Sequence, residues 1–317
     1  MSKMSDMKHT ANPGNSSGFL DTDMLSYMRC PLSSHTADAS VDVVVTGVPY
    51  DLSATIRPGT RFGPEAVRRA TRHLSWELRR WPWNFHVFDL LRVIDAGDLR
   101  TDLPIERTRL EALLQRHASQ VLAAGKIMLT LGGDHYIALP LLREHAKLYG
   151  PVSLIHFDAH ADTEYDNGEY HHGTMFRHAM SEGIIDAGRS VQVGIRTEYD
   201  MSPDYPFTVL DAAYVNDQRA EAVAEAIVKV VGDRPAYISF DIDCLDPAFA
   251  PGTGTPVVGG LSTDKALKIL RGFKGLNLIG MDLVEVSPAY DPAEITALAA
   301  ATISLEFLYV LAAGRMP

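Results

Sequence analysis

VSLIHFDAHAD (152–162) is an apolar run that ends abruptly in acids and histidines, and reading it decides the architecture. Two other stretches have the same form: KIMLTL (126–131) leads into LGGDH (131–135), and AYISF (236–240) leads into SFDIDCLDP (239–247). Continuous apolar runs of about five residues that stop in polar ones are the mark of central strands in a parallel sheet. Along the same body run helical patterns at 63–78, 107–125, 221–231 and 263–273. This alternation predicts an α/β fold, a three-layer αβα sandwich around a mostly parallel, doubly wound sheet. No Gly- or Ser-rich linker interrupts it, so residues 41–317 are expected to form one domain, preceded by a polar tail over 1–40 that is partly mobile or draped on a neighbouring subunit.

In open α/β sheets, ligands bind at the carboxyl ends of the strands. On a strand, residues two apart share a side, so Asp158, His160 and Asp162 are expected to project together, as are Asp241 and Asp243. Gly132 and Gly133 would let the chain turn and bring His135 to the same surface. Four carboxylates in a dry crevice repel one another unless cations neutralise them. Two divalent ions would do so and leave room for one hydroxide. Mixed Asp and His donors without thiolate suit Mn²⁺ and also admit Zn²⁺, Co²⁺ or Fe²⁺. Such a pair lowers the pKa of bound water.

GGDH (132–135), DAHAD (158–162) and SFDIDCLDP (239–247) resemble the three metal-binding motifs of the ureohydrolases, the arginase and agmatinase superfamily. The resemblance extends through 47–68, 171–179, 193–200, 247–261 and 280–301, most of the chain from about residue 40. LSWELRRWPWNF (74–85) and HGTMF (172–176) look most like bacterial agmatinases, which hydrolyse agmatine to putrescine and urea. The resemblance implies two Mn²⁺ per subunit. One would be held by His135, Asp158, Asp162 and Asp241, the other by Asp158, His160, Asp241 and Asp243, with a bridging hydroxide attacking the guanidinium carbon. It also implies that Glu285 binds the guanidinium, Asp162 relays a proton to the departing amine, and His172 exchanges protons with solvent. A carboxylate has the fork geometry for a planar guanidinium, and an amine must be protonated before it leaves. His171 competes with His172 for the shuttle, whereas His156 reads as a strand histidine or a partner of the ligands. Asp134 is expected to orient neighbouring ligands.

Arginases read an amino-acid end with an Asn- and hydroxyl-rich loop after the second motif, and TEYDNGEYHHGTMF (163–176) lacks that pattern. Asp166 and Glu169 are candidates to face an amine tail; the bland reading is solvated loop charge. Arg57 or Arg177 would instead favour a carboxylate-ended substrate, so a guanidinobutyrase or guanidinopropionase is the alternative. A non-catalytic binding protein on the same fold is the distant one. The net charge of −11 suits a small cationic substrate and argues against nucleic acid. Two scattered cysteines, Cys30 and Cys244, exclude a disulfide framework. The start has no signal-like apolar region, which predicts a cytoplasmic protein. The apolar stretch 295–314 contains Glu306 and is read as a helix buried on the sheet, with no membrane partner. PGTGTPVVGG (251–260) lacks the spacing of a phosphate loop and is read as an active-site wall, and Trp76, Trp81 and Trp83 as core or subunit contacts. The resemblance further implies a homo-oligomer, trimer or hexamer.

Overall fold

The computed structural model describes residues 25–77, 79–99, 106–165 and 167–316. In chain order the principal elements are β1 (Val43–Val48), α1 (Gly63–Leu74), β2 (Val93–Asp98), α2 (Arg107–Ala123), β3 (Ile127–Gly132), α3 (Ala138–Tyr149), β4 (Ser153–Phe157) and α4 (Met175–Ser181). They continue with β5 (Val191–Val193), β6 (Thr208–Leu210), α5 (Ala212–Asp217), α6 (Ala220–Val231), β7 (Ala236–Asp241), α7 (Thr263–Arg271), β8 (Leu278–Val284) and α8 (Ile295–Gly314). The strands form one sheet in the order β2-β1-β3-β8-β7-β4-β5-β6, with every pairing parallel.

Parallel strands need helical crossovers, and helices here cover both faces. Val43, Val45, Ile155, Phe157, Ile238 and Phe240 pack with α1, α6, α7 and α8 in one core. Val44, Met128, Leu154 and Tyr237 pack with α2, α3 and α4 in the other. Phe157 and Phe240 are register partners on adjacent strands, and their rings stack at 4.9 Å. The expected helices are present, with α1, α2 and α7 ending short of Leu78, Gly125 and Phe273, and α3, α4 and α5 are helices that the sequence pattern did not single out. α8 is long and apolar enough to cross a membrane, yet 83% of its most apolar window is buried inside the protein. Its Glu306 is held by Arg271 Nε at 2.8 Å and Trp83 Nε1 at 2.6 Å, while the Trp83 ring stacks on Tyr309. Trp76 and Trp81 are exposed.

Ahead of β1, Tyr27 is fully buried; its hydroxyl meets Ser304 Oγ on α8 at 3.0 Å and its N–H donates to Asp95. Residues 1–24 lie outside the described residues.

Candidate metal centre

Four strands adjacent in the sheet, β3, β8, β7 and β4, deliver the polar residues at their carboxyl ends. His135 follows β3, Glu285 follows β8, Asp241 ends β7 with Asp243 just beyond, and Asp158 follows β4. His135 Nδ1 lies 3.1 Å from Asp158 Oδ2, 3.0 Å from Asp162 Oδ2 and 3.3 Å from Asp241 Oδ2. On the other side of Asp158, His160 Nδ1 lies 3.3 Å from Asp158 Oδ1 and 3.1 Å from Asp243 Oδ2. Asp158 therefore faces both groups, one oxygen to each. Donor atoms of His135, His156, Asp158 and Asp162 fall within 4.8 Å of one another, and so do those of Asp158, His160 and Asp243.

These side chains converge by turns rather than by strand pleating. β4 stops at Phe157, and Asp162 has a left-handed backbone with φ of 52°. Asp243 lies in a 3-10 turn (Ile242–Cys244) whose N-cap is Asp241, with Asp243 N donating to Asp241 Oδ1 at 2.8 Å. The expectation that each set shares a strand face is thus corrected. The chain bends at Gly133 and Asp134, as expected, although neither Gly132 nor Gly133 has positive φ. A Cβ on Gly133 would meet the Tyr50 carbonyl oxygen at 1.8 Å, so the bare backbone is what permits that close approach. Strained left-handed residues recur at functional sites, and Glu285, with φ of 65°, is another.

Beneath the centre runs a row of buried polar residues, of which only His156 is singled out in the sequence. Thr46, Thr130, Asp282, Ser239, His156 and Gln192 are register neighbours across β1, β3, β8, β7, β4 and β5. Their only signal in the sequence is that of lone polar letters inside apolar strand runs. Ser239 Oγ donates to Asp282 Oδ1 at 2.7 Å and lies 2.8 Å from His135 Nε2. Because the serine proton goes to Asp282, Nε2 carries a proton whether the ring is neutral or charged, and Nδ1 is the atom turned to three carboxylates. Asp134 caps the turn His135–Ile137 and so acts on its neighbours through their backbone. It accepts from Tyr136 N at 3.0 Å and Ser53 N at 2.9 Å, holding backbone rather than an imidazole.

The crowding of acids around His135 suits a cation. His135 Nδ1 is buried and makes no hydrogen bond. Among the described residues, no Lys or Arg ion-pairs with Asp158, Asp162, Asp241 or Asp243. Burial, followed by the charges of Asp243 and Asp158, drives Asp241 well above the usual carboxylate range; burial and the Asp158 charge push Asp162 up to about 7. Burial resists charge on His135, but Asp158, Asp162 and Asp241 still pull it well above its ordinary value. Imidazole and carboxylate donors around two adjoining points fit a pair of divalent ions.

Glu285 stands beside this cluster, fully buried. Its Oε1 accepts from His135 N at 2.8 Å and lies 3.0 Å from His172 Nδ1; its Oε2 has no partner. Burial disfavours charge on His172, yet the hydrogen bond and charge of Glu285 win and raise it to about 9. His172 Nε2 lies 2.9 Å from Thr55 Oγ1. His171 Nδ1 instead accepts from Gly173 N at 3.1 Å. Cys244 is a buried thiol, as expected. Along the 163–176 loop, the exposed Glu164 carboxylate rests against Gly173, about 3.0 Å from where a Cβ would be. Glu169 holds the loop through its carbonyl, which accepts from Thr174 and His178, and Asp166 lies outside the described residues. Arg177 is tied to the carbonyls of Thr163 and Glu164 at 2.9 Å, and the Arg57 guanidinium lies over Tyr290.

A family model described as the arginase family matches residues 41–309. The agmatinase of Serratia proteamaculans (strain 568) is 53% identical over 296 residues, covering 93% of this chain and 96% of that protein. Among solved structures, a hypothetical agmatinase from Burkholderia thailandensis superposes with a TM-score of 0.86 at 53% identity, covering 91% of this chain and 90% of that one. Proclavaminate amidino hydrolase from Streptomyces clavuligerus gives 0.85 at 39% identity, covering 92% and 98%.

Proposed function

This chain belongs to the arginase family, and from that premise we propose that it hydrolyses agmatine to putrescine and urea with a pair of manganese ions. His135, Asp158, Asp162 and Asp241 would hold one ion, and Asp158, His160, Asp241 and Asp243 the other. When bound, such a pair supplies hydroxide at neutral pH and neutralises the crowded acids.

The observation that carries the substrate reading is the unpartnered Oε2 of Glu285, a buried acceptor beside the ligand cluster. A guanidinium satisfies it and matches its charge. Glu285 orients the planar cation, and the nearby acids exclude a carboxylate at that end. Asp162 passes a proton to the departing amine, since an amide anion is too basic to leave. His172, linked to Glu285 and at the edge of the buried region, exchanges that proton with solvent. Glu164, beside Gly173, adds negative charge where an amine tail would emerge, while Arg177 is occupied with backbone carbonyls. Both features favour agmatine over a carboxylate-ended guanidino acid. The proposal includes a cytoplasmic homo-oligomer, whose size light scattering measures.

The test is urea release from Mn²⁺-activated protein offered agmatine, arginine, 4-guanidinobutyrate and 3-guanidinopropionate at equal concentration. Preference for agmatine is expected. Preference for a carboxylate-ended compound would overturn the reading of the loop while leaving the metal chemistry standing. Asp162→Asn is expected to lose most turnover and still retain some metal; near-normal kcat in the Mn²⁺-loaded variant refutes the relay.

A further inference from the structure

His156 has two incompatible readings. Its ring nitrogen sits among the donor atoms of His135, Asp158 and Asp162, as a seventh metal ligand would. The same Nε2 also lies 2.8 Å from Asp158 Oδ2, as a hydrogen-bond donor would. A nitrogen that carries a proton cannot bind a metal, so the position of that proton decides between them.

The surrounding residues settle where it lies. Gln192 Nε2 is 2.7 Å from the carbonyl oxygen of Ala161, which can only accept, so the amide nitrogen and not its oxygen must face that way. The same NH₂ group lies 3.1 Å from His156 Nδ1 and has a second hydrogen to give. Nδ1 is therefore an acceptor, and in the neutral ring the proton is on Nε2, aimed at Asp158. Gln192 Oε1 accepts from Tyr205 OH at 2.7 Å. With its one proton spent there, Tyr205 accepts from Thr163 Oγ1 at 3.1 Å. Every donor and acceptor in this chain has a single consistent direction.

We propose that His156 is a positioning residue, a fixed N–H donor that orients the bridging carboxylate of Asp158, with its tautomer set by Gln192 and the chain anchored through Tyr205 to Thr163. The inference rests on Asp158 being a ligand to both ions. His156 and Gln192 are fully buried, and the His156 ring is wedged edge-on against Phe176 at 4.5 Å, so the donor has little freedom to turn away. Thr163 directly follows Asp162 and opens the 163–176 loop. The chain therefore joins the bridging carboxylate to the segment that carries the proposed proton relay and borders the substrate.

The experiment counts Mn²⁺ per chain by equilibrium dialysis into metal-freed full-length protein, across a range of Mn²⁺ concentrations. His156→Leu and Gln192→Leu are each expected to weaken one of the two ions by roughly 10- to 100-fold, the usual effect of losing a hydrogen-bond partner of a ligand. His156→Gln is expected to restore binding substantially, because its amide can place an N–H near the lost Nε2. Tyr205→Phe, a less buried change that keeps the fold, is expected to weaken the same ion by about fivefold. A Gln192→Leu protein that binds both ions as the wild type does overturns the inference. So does His156→Gln as deficient as His156→Leu, which is the result for a true ligand. Should Gln192→Leu not fold, Tyr205→Phe decides, and unchanged binding there overturns it. If the wild-type protein binds no Mn²⁺, the metal-centre reading itself falls, a result distinct from all of these.

Discussion

Asp95 and Asp158 are both fully buried carboxylates in the same sheet, and their surroundings differ in one decisive respect. Asp95, on β2, has both oxygens filled by the protein: Arg68 Nε and Tyr27 N donate to Oδ2 at 2.7 Å, and Arg68 Nη2 and Gly97 N donate to Oδ1 at 2.9 Å. Its counter-charge is built in. Asp158 accepts from His160 N at 2.6 Å and meets only imidazoles, those of His156, His135 and His160 at 2.8, 3.1 and 3.3 Å, two of which it shares with other carboxylates. A buried carboxylate fixed by a permanently charged guanidinium is structural, whereas a carboxylate held by imidazoles that other carboxylates share is open to a cation from outside.

If that distinction holds, the two sites fail in different ways. Asp158→Asn is expected to reduce turnover by about 10⁴-fold, since the metal pair supplies several kcal/mol of barrier reduction. In EDTA the same variant is expected to lose much less stability than Asp95→Asn does, because no buried guanidinium is left without its partner. A drop in Tm without metal as large as that of Asp95→Asn would break the comparison. Asp95→Asn is expected to do the reverse, destabilising the fold by roughly 3–5 kcal/mol as Arg68 loses its buried partner, with two Mn²⁺ still bound per folded chain. Urea titration and metal analysis of that one protein measure both.

Glu285 belongs with Asp158, as an acceptor left open for something external. Glu285→Gln keeps the shape and removes the charge, so kcat/KM for agmatine is expected to fall by about 2–3 kcal/mol, near 10²-fold. A fall in kcat/KM of less than threefold would remove Glu285 from the substrate site.

The smallest effect is a pH dependence. In the metal-free protein the pKa of His172 is raised to about 9 against an ordinary 6.5, so folding favours its protonated form. The stability it contributes is complete below about pH 6.5 and lost as pH rises through about 9. His172→Asn should therefore be less stable than the wild type at pH 6, with the two curves converging above pH 9 in urea unfolding.

Much of this could be read along the chain. The parallel sheet was legible because buried strands are written as unbroken apolar runs, and all six proposed ligands stood where those runs stop. The buried polar row was harder to see. Ser239, Asp282 and Gln192 are single letters on strands far apart in sequence, and nothing local says that they are register neighbours. Tyr27 likewise lies in a segment read as tail, and its hold on Asp95 and Ser304 depends on elements 68 and 277 residues away.

Local chemistry in the sequence, short of any fold, was enough to specify the donor types, the demand for cations and the strand ends that carry them. Order in space was a tertiary matter. β8, the last strand made, inserts between β3 and β7, and only that insertion sets Glu285 beside His135 and Asp282 beneath it. The bends at Asp162 and Asp243 were equally invisible, because alternating acidic letters do not say where a strand stops. Periodicity reports which way a side chain leaves its own strand, whereas a metal centre depends on where several strands stop relative to one another, which long-range pairing alone determines.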